Sequence, residues 1–207
     1  MTPLALLKSL TVAMALVCLA ATSALAGPPL LCQPFEIGPA TSLPWNTTQW
    51  KGMRADYDRS RLNGDVLALL TPTTPVVVRM ETLRRAALYT TTDTRAAQSL
   101  LDTLRARAAR SGDDAGLAEF DAGYLIETYK EAAVLTPGFT EMVRGLDGYA
   151  MVIHSLKIRH DDPAIAFAAA IMTSSRDDRH TEHARTARAG ATADLLLARN
   201  LDGRGLE

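Results

Sequence analysis

Asp177, His180 and His183 are the side chains whose type and spacing come nearest to a chemistry. Two histidines three apart share one face of a helix, and Asp177 lies one turn earlier. Two imidazole nitrogens and one carboxylate can then converge on a divalent cation. Cys32, distant in the chain, would add a thiolate ligand and a redox function to such a centre. The His-Glu-x-x-His order of the zinc proteases is not there. The same residues also make an ordinary helix start, in which aspartate caps the first turn and charge suits the dipole. A small periplasmic metal-binding or redox protein is one reading of this chain.

Other chemistries have weaker footing. Glu119, Glu127, Glu131 and Glu141 are single carboxylates on helical stretches, and nothing in the sequence pairs two of them across a cleft as an envelope hydrolase would need. The chain contains no Gly-x-Ser-x-Gly, no Ser-x-x-Lys, no Gly-rich phosphate loop and no Cys-x-x-Cys-His. No catalytic or cofactor-binding residue is assigned, and no cofactor is expected. Trp45, Trp50 and Tyr57 are better placed for recognition, since their rings can stack on a partner. The same rings can equally staple their own segment to the helices beside it. His154 falls in the stripe of Val152, Ile153 and Leu156 and is expected to be packed, with one nitrogen satisfied.

These residues sit in a chain of 207 with four segments. Residues 1–26 read as a secretory signal peptide. Lys8 precedes an uncharged apolar run from Leu10 to Leu25, and Ala24-Leu25-Ala26 supplies small residues for cleavage after Ala26. The expected location is the periplasm or the exterior of a bacterium, because Arg outnumbers Lys 18 to 4 and Ala is abundant. Loss of the leader removes Cys18 and leaves Cys32 alone, so no internal disulfide can form and Cys32 is expected to be buried among Leu30, Leu31 and Phe35. Loss of Lys8 moves the formal charge from −1 to −2, a balance with no footprint for nucleic acid or anionic lipid. No later stretch is long and apolar enough to span a membrane.

Residues 27–56 form an irregular arm. Pro28, Pro29, Pro34, Pro39 and Pro44 forbid a long helix or a central strand, while Leu30, Leu31, Phe35, Ile37 and Leu43 supply apolar anchors. Residues 57–200 are helical by period. Val76, Met80, Leu83 and Ala87 follow the Thr74-Pro75 start, with Glu81 expected to pair with Arg84 or Arg85 on the wet face. Ala97, Leu100, Leu101 and Leu104 make the cleanest stripe. Leu117, Phe120, Tyr124 and Thr128 make another, and Asp162-Pro163 opens a helix apolar on every side that should be the most buried. A last helix is expected over 178–200 with Ala184, Ala187, Ala191, Leu195 and Ala198 inward, followed by a frayed tail, 201–207.

The fold class is therefore all-α, built from antiparallel helix hairpins. The capping aspartates Asp93 and Asp162 lie 69 residues apart, near two periods of a 34-residue unit. In this arrangement 58–175 resembles tetratricopeptide-like helical-repeat proteins, although the family's Trp and Gly-x-x-Tyr positions are not matched. A solenoid-like array and a compact bundle both satisfy the stripes. The Cys32-Gln-Pro-Phe-Glu-Ile-Gly38 and Ser42-Leu-Pro-Trp45 segments also resemble exported bacterial proteins of unknown function. The functional expectation is a non-enzymatic binding or scaffold protein of the cell envelope, taking a protein or peptide partner in the groove of its helix pairs.

Overall fold

The computed structural model describes residues 29–46, 51–110, 112, 114–173, 177–204 and 206. The leader 1–26 and Trp50 lie outside the described residues. The helices are α1 (Pro29–Cys32), α2 (Leu62–Leu69), preceded by a single 3-10 turn at Arg59–Arg61, and α3 (Val76–Tyr89). They continue with α4 (Thr94–Arg110), α5 (Ala115–Ala132), α6 (Gly138–Met142) and α7 (Gly148–Ile158). The last are α8 (Pro163–Ile171), α9 (Asp178–Ala191) and α10 (Leu195–Asp202). Among the described residues there is no strand, so the chain is all-α; one isolated antiparallel bridge joins Trp45 to Met53.

Aspartates set five of the ten described helix starts, as an Asx side chain satisfies N–H groups that a first turn leaves open. Asp93 accepts from Arg95 and Ala96 at α4, Asp147 from Ala150 at α7, and Asp162 from Ala164 at α8. Asp177 does the same for Arg179 at α9, and Asp194 for Leu196 and Leu197 at α10. That last cap is why the expected single helix over 178–200 is two. The chain turns after Ala191, the helical phase restarts at Asp194, and Leu197 and Leu201 point inward where Leu195 was expected. Leu195 is 75% exposed.

α5 is the axis of the molecule. It packs against α1, α3, α4, α6 and α7. Its crossing with α7 is close enough that a Cβ on Gly123 would lie 2.6 Å from the Gly148 carbonyl oxygen, so two glycines bring these backbones together. α8 packs against α3, α7, α9 and α10, and every residue from Ala164 to Ile171 is buried, as its all-round apolar sequence requires. Neighbours in sequence pair (α4 with α5, α8 with α9), and α3 also meets the distant α8.

Two expectations need correction. α3 has no wet face: Glu81 pairs with both Arg84 and Arg85 at 2.7 Å, but Glu81 and Arg84 are buried, because the arm lies over them. The C-terminal segment is not frayed up to Arg204. Its guanidinium sits 4.1 Å from the centre of the Phe35 ring and donates to the Gln33 carbonyl oxygen at 2.8 Å. Leu206 is buried as well, and its carbonyl accepts from Arg188 at 2.8 Å.

Candidate functional site

The arm is held by its main chain. Leu30 and Leu31 donate their backbone N–H groups to one oxygen of Glu131 on α5, at 2.8 and 3.1 Å. Phe35 donates to Glu81 on α3 at 3.0 Å, and Glu36 donates to the Asn200 side-chain carbonyl on α10 at 2.9 Å. The arm's carbonyls are read as well. Arg84 donates to Leu31 O at 3.1 Å, Arg85 to Leu43 O at 2.7 Å, and Tyr89 to Pro44 O at 2.6 Å. An irregular segment without a ladder partner must find other acceptors and donors for its peptide groups, and here buried and half-buried polar and charged side chains supply them.

Apolar contacts complete the seat. Leu30, Leu31, Phe35 and Leu43 are all buried in the common core, each contributing about 1.5–3 kcal/mol relative to exposure. Phe35 meets Phe167 of α8 edge-on with ring centres 6.1 Å apart.

The sequence candidates fall as follows. Trp45 meets Tyr89 of α3 edge-on at 5.9 Å, with the Arg84 and Arg85 guanidiniums 5.1 and 5.5 Å from its ring. Tyr57 packs on the same Tyr89 at 4.8 Å and donates to Asp65 at 2.8 Å, and burial with that hydrogen bond pushes its phenol well above the usual range. Both rings thus staple the arm and the chain just after it to α3. Cys32 is half-buried rather than buried, and burial and the nearby Glu131 push its thiol up, away from the thiolate form a redox or ligating cysteine uses.

Asp177, His180 and His183 each have other partners. Asp177 caps α9 and pairs with Arg179 at 2.5 Å, which draws its carboxyl down to about 2. His180 Nδ1 donates to the Ala170 carbonyl oxygen at 2.9 Å, tying α9 to α8. His183 Nε2 shares a hydrogen bond with Tyr149 of α7 at 2.8 Å, and burial lowers its pKa. Among the described residues, no group of three or more His, Cys, Asp or Glu side chains could hold a metal ion. His154, expected in the core, is exposed and meets Glu119 at 2.6 Å, because α7 buries Val152, Ser155 and Leu156 on its other side.

Sequence reading missed Glu131, Asn200 and Arg204 as arm contacts. Glu131 carried a signal: it continues the Leu117, Phe120, Tyr124, Thr128 stripe, placing a carboxylate in the buried phase of its helix. Burial lifts that carboxyl to about 7, against the opposing effect of the Leu30 and Leu31 N–H groups and Arg204. Beside it on α5, the fully buried Tyr124 hydroxyl has no hydrogen-bond partner among the described residues.

The outer side of the arm is concave on two flanks. A cleft of about 520 Å³ lies between Pro34–Gly38 and the Glu81–Arg85 pair of α3. Another of about 380 Å³ lies between Ile37–Ala40 and Leu195, Leu196 and Arg199 of α10. Between them the chain turns at Gly38, whose φ of +56° suits glycine, with Ala40 donating to Ile37 O at 3.1 Å.

Comparison with protein families, with characterised proteins and with solved structures finds no match. Among the described residues, no helix is long and apolar enough to cross a membrane.

Proposed function

We propose that this chain is an exported binding or scaffold protein of the bacterial cell envelope, and that its partner, a protein or peptide, docks on the outer face of the arm. The signal-like leader supports export. The arm lies across the helices Val76–Tyr89, Ala115–Ala132, Pro163–Ile171 and Leu195–Asp202, which favours a recognition surface on its outer face. One observation carries this reading: the Gly38 turn stands between two clefts, and in the more apolar of them Leu195 is 75% exposed at the first turn of a well-capped helix. A rigid ridge flanked by depressions, rimmed by the Glu36–Arg199 ion pair at 3.0 Å, fits a polypeptide that presents apolar side chains to Ile37, Pro39 and Leu195.

Photo-crosslinking amino acids placed at Ile37 and Leu195, with Asp102 on α4 as control, test this in intact cells. The expected result is one shared adduct from the two arm-face positions and none from Asp102. Leu195→Asp, combined with the probe at Ile37, should lower its yield about tenfold, as loss of a buried apolar anchor does. Equal labelling at Asp102, or no adduct from the arm face, overturns the reading.

A further inference from the structure

We propose that the cleft between the arm and α3 is a carboxylate site: it takes the C-terminal carboxylate and the apolar last side chain of a peptide, with Arg85 as the anchor. This inference rests on the reading that the outer face of the arm receives a polypeptide, and it adds which end of that polypeptide is held and where.

The charges around the cleft leave a positive remainder. Glu81 faces two guanidiniums, Arg84 and Arg85, each at 2.7 Å. Both of its oxygens are taken, Oε1 by Arg84 and Arg85, and Oε2 by Arg84 and the Phe35 N–H. Glu36, the other acid lining the cleft, pairs with Arg199 at 3.0 Å. Glu131, on the inner side of the arm, is faced by Arg204. One positive charge is left over, and it is largely out of water: Arg84 is buried, and the Arg85 side chain is 15% exposed. A mostly desolvated guanidinium without its own counter-charge gains much from an anion.

The donors are fixed in place. Arg85 Nε donates to Glu81 and Nη1 to Leu43 O, both at 2.7 Å, and the guanidinium carbon lies 5.5 Å from the centre of the Trp45 ring. Among the described residues, Nη2 has no acceptor. On the arm side of the cleft, the N–H groups of Ile37 and Gly38 also have no acceptor among the described residues, because the turn is closed by Ala40 N–H alone. One guanidinium nitrogen and two main-chain N–H groups are the donors that capture a chain-terminal carboxylate. Pro34, Phe35 and Ile37 give an apolar wall for the side chain beside it, in a volume of about 520 Å³. Donors already held in position cost little ordering on binding. The preceding residues of the peptide would cross Gly38 toward Leu195 in the neighbouring cleft.

The test is a titration followed by NMR at the Ile37 and Gly38 amides and at Arg85 Nε. The probes are N-acetylated tetrapeptides Ala-Ala-Ala-X, with X as Leu, Ile, Val, Phe or Met, each as the free acid and as the C-terminal amide, together with hexanoate. At least one acid should shift all three signals with a Kd of about 1 mM or tighter, and its amide and hexanoate should bind about tenfold more weakly or worse. Arg85→Lys keeps a charge toward Glu81 and loses the fork, so it should bring the acid down to the level of its amide. Equal binding of acid and amide overturns the carboxylate site and leaves docking on the arm face standing. Equal binding of hexanoate overturns a peptide end as the occupant. No shift from any probe overturns the inference, and the crosslinks from Ile37 and Leu195 then judge the docking reading separately. Should Arg85→Lys not fold, the acid-against-amide comparison on the wild-type protein decides.

Discussion

Two buried charge clusters meet α3, and they do different work. Toward its start, Arg79 pairs with Asp121 of α5 at 2.7 Å with both side chains fully buried, and Arg107 of α4 reaches the same oxygen at 3.3 Å. Arg79 also donates to the carbonyls of Thr71 and Thr74. This cluster joins three helices side chain to side chain. Toward the other end, Glu81 pairs with both Arg84 and Arg85, and the three turn their remaining capacity to the main chain of the arm. One cluster fixes how helices cross. The other lets a segment without regular structure be buried at all, since its peptide groups would otherwise lose water for nothing. Similar ion pairs on one helix thus form part of the frame in one place and of a seat in another.

Substitutions can break that contrast. Arg79→Ala leaves the buried Asp121 only its longer contact with Arg107 and should cost about 3–5 kcal/mol, with helicity and tryptophan fluorescence lost in one transition. Arg85→Ala removes donors to Glu81 and to Leu43 O and should cost about 1.5–3 kcal/mol. Because Trp45 lies in the arm, the tryptophan signal should then melt ahead of helical circular dichroism, and coincident transitions would refute the distinction between frame and seat.

The pH response sharpens the comparison further, because both clusters hold or adjoin a carboxyl that burial raises: Asp121 to about 6 and Glu131 to about 7. Each binds more protons folded than unfolded between its ordinary and its raised value. Global stability should therefore fall as pH rises from about 4 toward 7, and the melting temperature at pH 8 should lie several degrees below that at pH 5.5. Tyr124→Phe removes a buried hydroxyl that has no partner among the described residues, so thermal denaturation should show no loss and a gain of up to about 1 kcal/mol. Glu36→Ala breaks only the exposed pair with Arg199 and should change stability by no more than about 0.5 kcal/mol.

What the sequence disclosed follows the same line between frame and seat. The α4 stripe, the all-round burial of α8 and the Asp93 and Asp162 caps were readable because period and cap are local signals. The burial of Glu81 and Arg84 was not, since a charged face looks wet until a distant segment covers it. The arm's apolar anchors were visible in Leu30, Leu31 and Phe35. Asn200 and Arg204, which bind the neighbouring Glu36 and Gln33, lie more than 160 residues away, and no local pattern links the two ends. The break before α10 was written in Asp194, a cap inside an alanine-rich stretch whose continuous period masked it. For the metal-like trio, spacing identified residues that do share a helix. Neighbouring α7 and α8 then supplied partners for His183 and His180, which spacing within one helix does not foretell.

The arm belongs to the fold through its peptide groups. The most direct measurement is hydrogen exchange at Phe35 and Glu36, whose N–H groups point at Glu81 and Asn200. At pH 5.5 these amides should be protected to within about tenfold of the α8 core, exchanging only when the whole domain opens. Exchange at the rate of an unstructured peptide, with α8 still protected, would contradict it.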